Sequence, residues 1–208
     1  NYPIVNGHYK YNFIEPAIKK LRELKELDDG ENITWLISSA GYSDSDIENF
    51  KKTAQDIGVS IYFFSNVDEY IGYLNTKGVA GDTSARDNDK IHKIIVFAHG
   101  KEGSIEFGYQ QLFGAEELSL KQADIGRIRM EAFDKTDSCF YSCNTGTINS
   151  RGTSFAQSWT NATRGRTWAV EKQTNYGLIN DVSHWDTVVK PERAETGYRQ
   201  SGSDYYPT

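Results

Sequence analysis

Two cysteines and four histidines supply the nucleophilic and basic side chains of this 208-residue chain: Cys139, Cys143, His8, His92, His99 and His184. Cys143 closes a short apolar run, Ser138-Cys139-Phe140-Tyr141-Ser142, and is followed by Asn144-Thr145-Gly146. His99 closes a second run, Ile91-His92-Lys93-Ile94-Ile95-Val96-Phe97-Ala98, and is followed by Gly100. Runs of this kind read as buried strands, and in open α/β sheets chemistry collects beyond the carboxyl ends of the strands. If the two strands are parallel neighbours, a thiol and an imidazole meet at one sheet edge, the pairing of a cysteine nucleophile with its base. Cys139 lies inside its strand and reads as a core thiol. On an extended strand it would stand about 13 Å from Cys143, too far for a disulfide. His184, in a Ser-His-Trp setting, is the alternative base, though a structural role suits it better.

Helices and strands alternate around these runs. Ile14, Ala17, Ile18, Leu21, Leu24 and Leu27 recur at helical spacing, with Pro16 tolerable in the first turn. Asn32–Ser39 reads as the first strand. Ser43 with Asp44 and Asp46 then opens a helix that Gly58 ends. Val59–Phe64 is a second strand, and Asn66 starts a helix through Leu74. The polar stretch from Asn75 to Lys90 reads as a long surface loop. After His99, Lys101-Glu102-Gly103 is a tight turn and Ser104–Gly108 a short strand, so a hairpin follows the histidine. Ser119 to Phe133 shows a helical pattern through Ile125, Ile128 and Met130. Ser154–Thr163 forms another helix and Thr167–Val170 another strand. Beyond that, no period is evident. The organisation expected is one domain: an N-terminal arm and helix over residues 1–30, an α/β core over 31–180 and a peripheral segment over 181–208. Its fold class is α/β, with a mostly parallel sheet covered on both faces.

Composition narrows the function classes. A net charge of −6 and a pI near 5.3 argue against nucleic acid as a partner, and no Lys/Arg run offsets them. No apolar run is long enough to span a membrane. Two cysteines cannot build a disulfide framework, and the histidines lack metal-ligand spacing. No cofactor or metal is expected, since the acid-rich loops show no EF-hand spacing. With no initiating Met, the chain reads as part of a larger multidomain protein; its cellular location stays open, secretion or delivery as an effector included.

Ile94-Ile95-Val96-Phe97-Ala98-His99-Gly100 and Cys139-Phe140-Tyr141-Ser142-Cys143-Asn144-Thr145-Gly146, in this order and separated by a hairpin and a helix, resemble the caspase-like superfamily of cysteine peptidases. The resemblance covers roughly Ile33 to Gly177. It implies a caspase-like three-layer α/β/α sandwich, a protein or peptide substrate, and Cys143 and His99 as catalytic dyad. The backbone N–H groups of Gly100 and Cys143 would form the oxyanion hole. Substrate pockets in that superfamily are lined by the ends of the first and last core strands, here near Ser39 to Tyr42 and Glu171 to Tyr176. Asp44, Asp46 or Glu171 would pair a basic substrate side chain, while Thr174 and Asn175 would hydrogen-bond a neutral one.

The sequence departs from the family in one informative way. Caspases carry Gln-Ala-Cys-Arg-Gly around the nucleophile, and this chain has Tyr-Ser-Cys-Asn-Thr-Gly, so the specificity of the better-known branches does not transfer. The reading is a cysteine endopeptidase acting on itself or on a protein partner, as a self-processing or effector module of bacterial type. Its competitor is a caspase-like binding module without catalysis. An α/β-hydrolase elbow is disfavoured, because Tyr141 and Thr145 stand where small residues are needed.

Overall fold

The computed structural model describes residues 10–27, 30–108, 115–172 and 202–207. Helix α1 (Ile14–Leu27) buries Ile14, Ile18 and Leu21, the stripe expected from a period of 3.6. Strand β1 (Thr34–Ser38) and strand β2 (Ser60–Phe64) are parallel and in register from Thr34 opposite Ser60 to Ser38 opposite Phe64. Helix α2 (Asp44–Ile57) connects them. Ser43 and Asp46 close a capping box at its start, and Gly58, at φ 78°, ends it in the left-handed region that glycine enters without steric cost. Alternation along β1 separates two clusters. Trp35 and Ile37 pack with Ile18 and Phe50 of α1 and α2, whereas Leu36 joins Phe64 and the residues of helix α3 (Val67–Thr76).

The stretch after α3 is a surface loop with one buried anchor. Arg86 lies inside and donates from Nε to Leu74 O at 3.0 Å and from Nη2 to Tyr73 O at 2.9 Å. It thereby caps Leu74 O in the last turn of α3 and adds a second bond to Tyr73 O, which already accepts from Lys77 N at 2.8 Å. Strand β3 (Ile91–Val96) follows. The strand β4 (His99–Lys101) and strand β5 (Ser104–Glu106) form the expected hairpin, and strand β6 (Ser119–Lys121) pairs with β5 to make a three-stranded antiparallel sheet.

A helix over Ser119 to Phe133 is not what forms. The chain runs through β6, then 3-10 turns at Gln122–Arg127 and Met130–Ala132. Leu120, Ile125, Ile128, Ala132 and Phe133 are nonetheless all buried, so the apolar spacing marks the core without deciding the backbone. Two long-range bonds brace this segment in place of a helical ladder: Asn75 Nδ2 donates to Arg127 O and Arg129 N donates to Asn75 Oδ1.

Strand β7 (Phe133–Phe140) starts five residues earlier than its apolar run. It pairs in parallel with β3 on one side and with strand β8 (Arg166–Val170) on the other, and strand β9 (Gly202–Tyr205) adds antiparallel to β8. Helix α4 (Phe155–Thr163) leads into β8. Its Trp159 is fully buried and donates from Nε1 to Ser138 Oγ at 3.0 Å. Gly165 lets the chain turn back against β7, since a Cβ there would lie 2.0 Å from Thr136 O. The class is mixed α/β with parallel strands. Among the described residues, however, the sheet is not continuous: β1–β2 is separate from β3-β7-β8-β9, with no ladder between β1 and β3. No helix among the described residues is long and apolar enough to cross a membrane.

Candidate active site

Parallel pairing sets the height of the two strand ends. Val96 is opposite Phe140, and Tyr141 N donates to Val96 O at 2.9 Å as the last rung between the two chains. His99 stands three residues beyond Val96, and Cys143 three residues beyond Phe140. Equal counts past a shared rung on strands about 4.8 Å apart carry both residues to the same level. The backbones then touch. A Cβ on Gly100 would lie 2.2 Å from Cys143 O, 2.8 Å from Cys143 N and 2.9 Å from Ser142 C. Only glycine permits this approach.

The turn that presents Cys143 is fixed on both sides. Asn144 takes φ 57°, a left-handed conformation that Asn tolerates better than most residues, and its N–H donates to Lys172 O at 2.9 Å. Gly146 N donates to Val170 O, Thr145 Oγ1 donates to Ser142 O, and Ala156 N at the start of α4 donates to Thr145 O. Tyr205 of β9 donates from its hydroxyl to Gly146 O at 2.6 Å. Cys143 is half-buried; Ser142 beside it is buried, and its Oγ has no hydrogen-bond partner among the described residues. Cys139 lies in an apolar cluster with Ile95, Phe97, Tyr141 and Trp168, as expected of a packing thiol.

His99 is half-buried under the edge of Phe13, with ring centroids 4.8 Å apart and planes at 88°. Burial pushes its pKa down to about 4; the Glu106 carboxylate opposes that shift and Lys101 adds to it. The imidazole is therefore neutral at pH 7. Glu106 is opposite His99 across the β4–β5 ladder and is 2% exposed. Its Oε1 accepts from Ser104 Oγ at 2.6 Å and Ser119 Oγ at 2.8 Å, while Oε2 is buried with no hydrogen-bond partner among the described residues.

Where β1 and β3 fail to pair, a cavity of about 440 Å³ lies between them, lined by Phe13, Leu36, Ser38, Phe64, Phe97 and Ala98 among others. Phe13 and Ala98 put its wall beside His99. The expected pocket residues divide. Tyr42 lines this cavity, as does Ser38 just outside the expected stretch, whereas Ser39 is turned to Phe64 O, to which both its N and Oγ donate. Asp44 is exposed in the first turn of α2, and Asp46 is committed to the cap and to Lys10 and Tyr11. Neither acid lines the cavity, because helix capping holds them at the far end of the β1–α2 turn. Glu171 is exposed but reaches the Cys143 turn, its Cγ packing close to Gly146 and its carbonyl accepting from Thr147 Oγ1 at 2.5 Å. Thr174, Asn175 and His184 lie outside the described residues, as does His8. His92 is exposed, with Nδ1 at 3.1 Å from Asp134 O. Among the described residues, no three His, Cys, Asp or Glu side chains converge to hold a metal ion.

Against known families, the model described as a domain of unknown function (DUF4347) matches residues 73–201, more than half of the chain. The chain belongs to this family. No curated protein and no solved structure matches it. The DUF4347 region contains His99, Glu106 and Cys143, while α1 with its Phe13 neighbour, β1, α2 and β2 all precede it.

Phe13, Ser38, Glu106 and Ser142 are the site residues that sequence reading missed. A signal existed for Glu106 alone: numbering the hairpin across the Glu102-Gly103 turn puts residue 106 opposite residue 99.

Proposed function

We propose that the chain is a cysteine endopeptidase of caspase-like type, its parallel strands sandwiched between helices, with Cys143 as nucleophile and His99 as base. The observation that supports this best is the pair of equal counts past the Val96–Phe140 rung, together with the Gly100 backbone lying against Cys143. A neutral imidazole is the form that accepts the thiol proton as sulfur attacks a peptide carbonyl, and the imidazolium then protonates the leaving amine. In this reading the amides of Gly100 and Cys143 would serve as the oxyanion hole. The cavity between β1 and β3 suits an apolar substrate side chain near the scissile bond, and Glu171 borders the other side of the Cys143 turn.

A second reading, an interaction module of the same fold without catalysis, draws on one observation. A base with a pKa near 4 is a weak proton acceptor compared with one tuned near 7. Iodoacetamide separates the two. In the peptidase, Cys143 is alkylated faster than a model thiol at pH 7, and Cys143→Ala abolishes cleavage of a peptide library. Alkylation no faster than the model thiol, with no cleavage, assigns the interaction module instead.

A further inference from the structure

We propose that Glu106 is a positioning residue acting through His99: a buried carboxylate, opposite it across the β4–β5 ladder, that balances the charge the ring acquires when Cys143 attacks. This rests on the assignment of Cys143 and His99 as a dyad. Residues directly opposite in an antiparallel pair project to the same face, with Cβ atoms about 5 Å apart. His99 and Glu106 are such a pair. A carboxylate at 2% exposure is costly unless its charge is answered, and two serine hydroxyls answer Oε1 only. Lys101, on the exposed side, makes an ion pair with Oε1 at 3.6 Å, so Ser104, Ser119 and Lys101 all answer Oε1 while Oε2 carries no hydrogen bond among the described residues.

Around His99, among the described residues, Lys101 lies on its own strand, Glu106 and Ser104 on β5, Ser119 on β6 behind Glu106, and Phe13 before α1, while the Cys143 backbone lies against the neighbouring Gly100. Of these groups Glu106 is the anion that raises the His99 pKa. In the reaction, Sγ bonds to the carbonyl carbon, its proton passes to the imidazole and the carbonyl electron pair moves to oxygen. The C–N bond then breaks and the imidazolium returns that proton to the amine. Water releases the acyl group by the same exchange in reverse, its proton ending on Sγ. Each half-reaction creates one buried cation at His99, and the Glu106 carboxylate supplies the compensating charge without itself exchanging a proton.

The test is the titration of His99 by histidine ring NMR in wild type, Glu106→Gln and Glu106→Asp, alongside the alkylation rate of Cys143. Glu106→Gln keeps the shape and removes the charge. The His99 midpoint is expected to fall below the wild-type value near 4, kcat to drop about 10²-fold with KM within about twofold, and Glu106→Asp to restore most of both. An unchanged His99 midpoint in folded Glu106→Gln overturns the assignment whatever Cys143 does. A shifted midpoint with Cys143 no more reactive than a model thiol in any variant overturns the peptidase reading instead, and Glu106 loses its part in a reaction. Should Glu106→Gln fail to fold, the wild-type protein still decides: the Glu106 carboxyl resonance must move as His99 titrates, and a flat resonance overturns the coupling.

Discussion

Asp46 and His99 are both titratable groups withdrawn from water, and their surroundings treat them in opposite ways. At Asp46, burial pushes the pKa up, but hydrogen bonds from Lys10, Ser43 and Tyr11 outweigh it and hold the carboxyl at about 2. Ser43 contributes both its N–H, at 2.7 Å, and its hydroxyl, at 2.6 Å. Against burial, Asp46 raises Lys10, while burial together with Asp46 takes Tyr11 up to about 12, so each member is fixed in its resting protonation state. Rings of Tyr11, Tyr42 and Phe50 pack around it. At His99 burial outweighs the Glu106 carboxylate, and the ring is held in the form that can still take a proton. A scaffold joint is a place where charge is settled. The proposed reaction centre keeps a charge change in reserve.

The largest expected effect that sharpens this contrast comes from two glycines. Gly100→Ala would set a Cβ 2.2 Å from Cys143 O, and Gly165→Ala one 2.0 Å from Thr136 O. Both should cost about 2 kcal/mol or more in urea unfolding, because backbone atoms must shift. Only Gly100→Ala should also slow Cys143 alkylation, by about 10²-fold per folded molecule, since it displaces the reacting groups. Equal slowing in both variants would erase the distinction between site and scaffold.

Acid titration comes next. The folded pKa of His99 is about 4 against 6.5 unfolded, so the unfolded chain takes the proton first as pH falls between those values. Stability is therefore lost over that window, by about 3 kcal/mol. Asp46, at about 2 against 3.8, gives a second loss in a lower window, of about 2 kcal/mol. Unfolding free energy measured against pH should thus fall in two stages, and Asp46→Asn should remove the lower one while leaving Cys143 alkylation unchanged. A single stage in wild type would mean that the two regions do not differ as described. The smallest effect belongs to Phe13→Ala, which uncovers the imidazole edge. The His99 midpoint followed by NMR should rise by about one unit toward 6.5, and a midpoint that stays put would locate the burial elsewhere.

Much of the scaffold was legible because local and tertiary signals agreed. Ser43 and Gly58 bound α2, the Ile14–Leu27 stripe is α1, and the two apolar runs are adjacent parallel strands. Ser119 to Phe133 reads as a helix because five buried apolar residues at near-helical spacing are equally served by a strand and two tight turns. What chose between them was pairing with β5 and bracing by Asn75, both distant in sequence. The gap between β1 and β3 was invisible for a similar reason: both strands carry good strand patterns, and nothing local says that two strands decline to pair. At the site, the thiol and imidazole announced themselves by residue type. Phe13 and Ser38 did not, since an aromatic before a helix and a serine ending a strand have no chemistry of their own until folding sets them beside a ring or a cavity.

The matched counts after Val96 and Phe140 restrict how a chain of this kind can drift over generations. Substitutions in Phe97-Ala98 or Tyr141-Ser142 change size and polarity only, but gaining or losing one residue in either dipeptide shifts the residue that follows it by up to about 3.3 Å relative to the other segment. Length changes in the two segments are therefore tolerable only as a matched pair, and a lone indel in either one separates the thiol from the imidazole while leaving every strand intact.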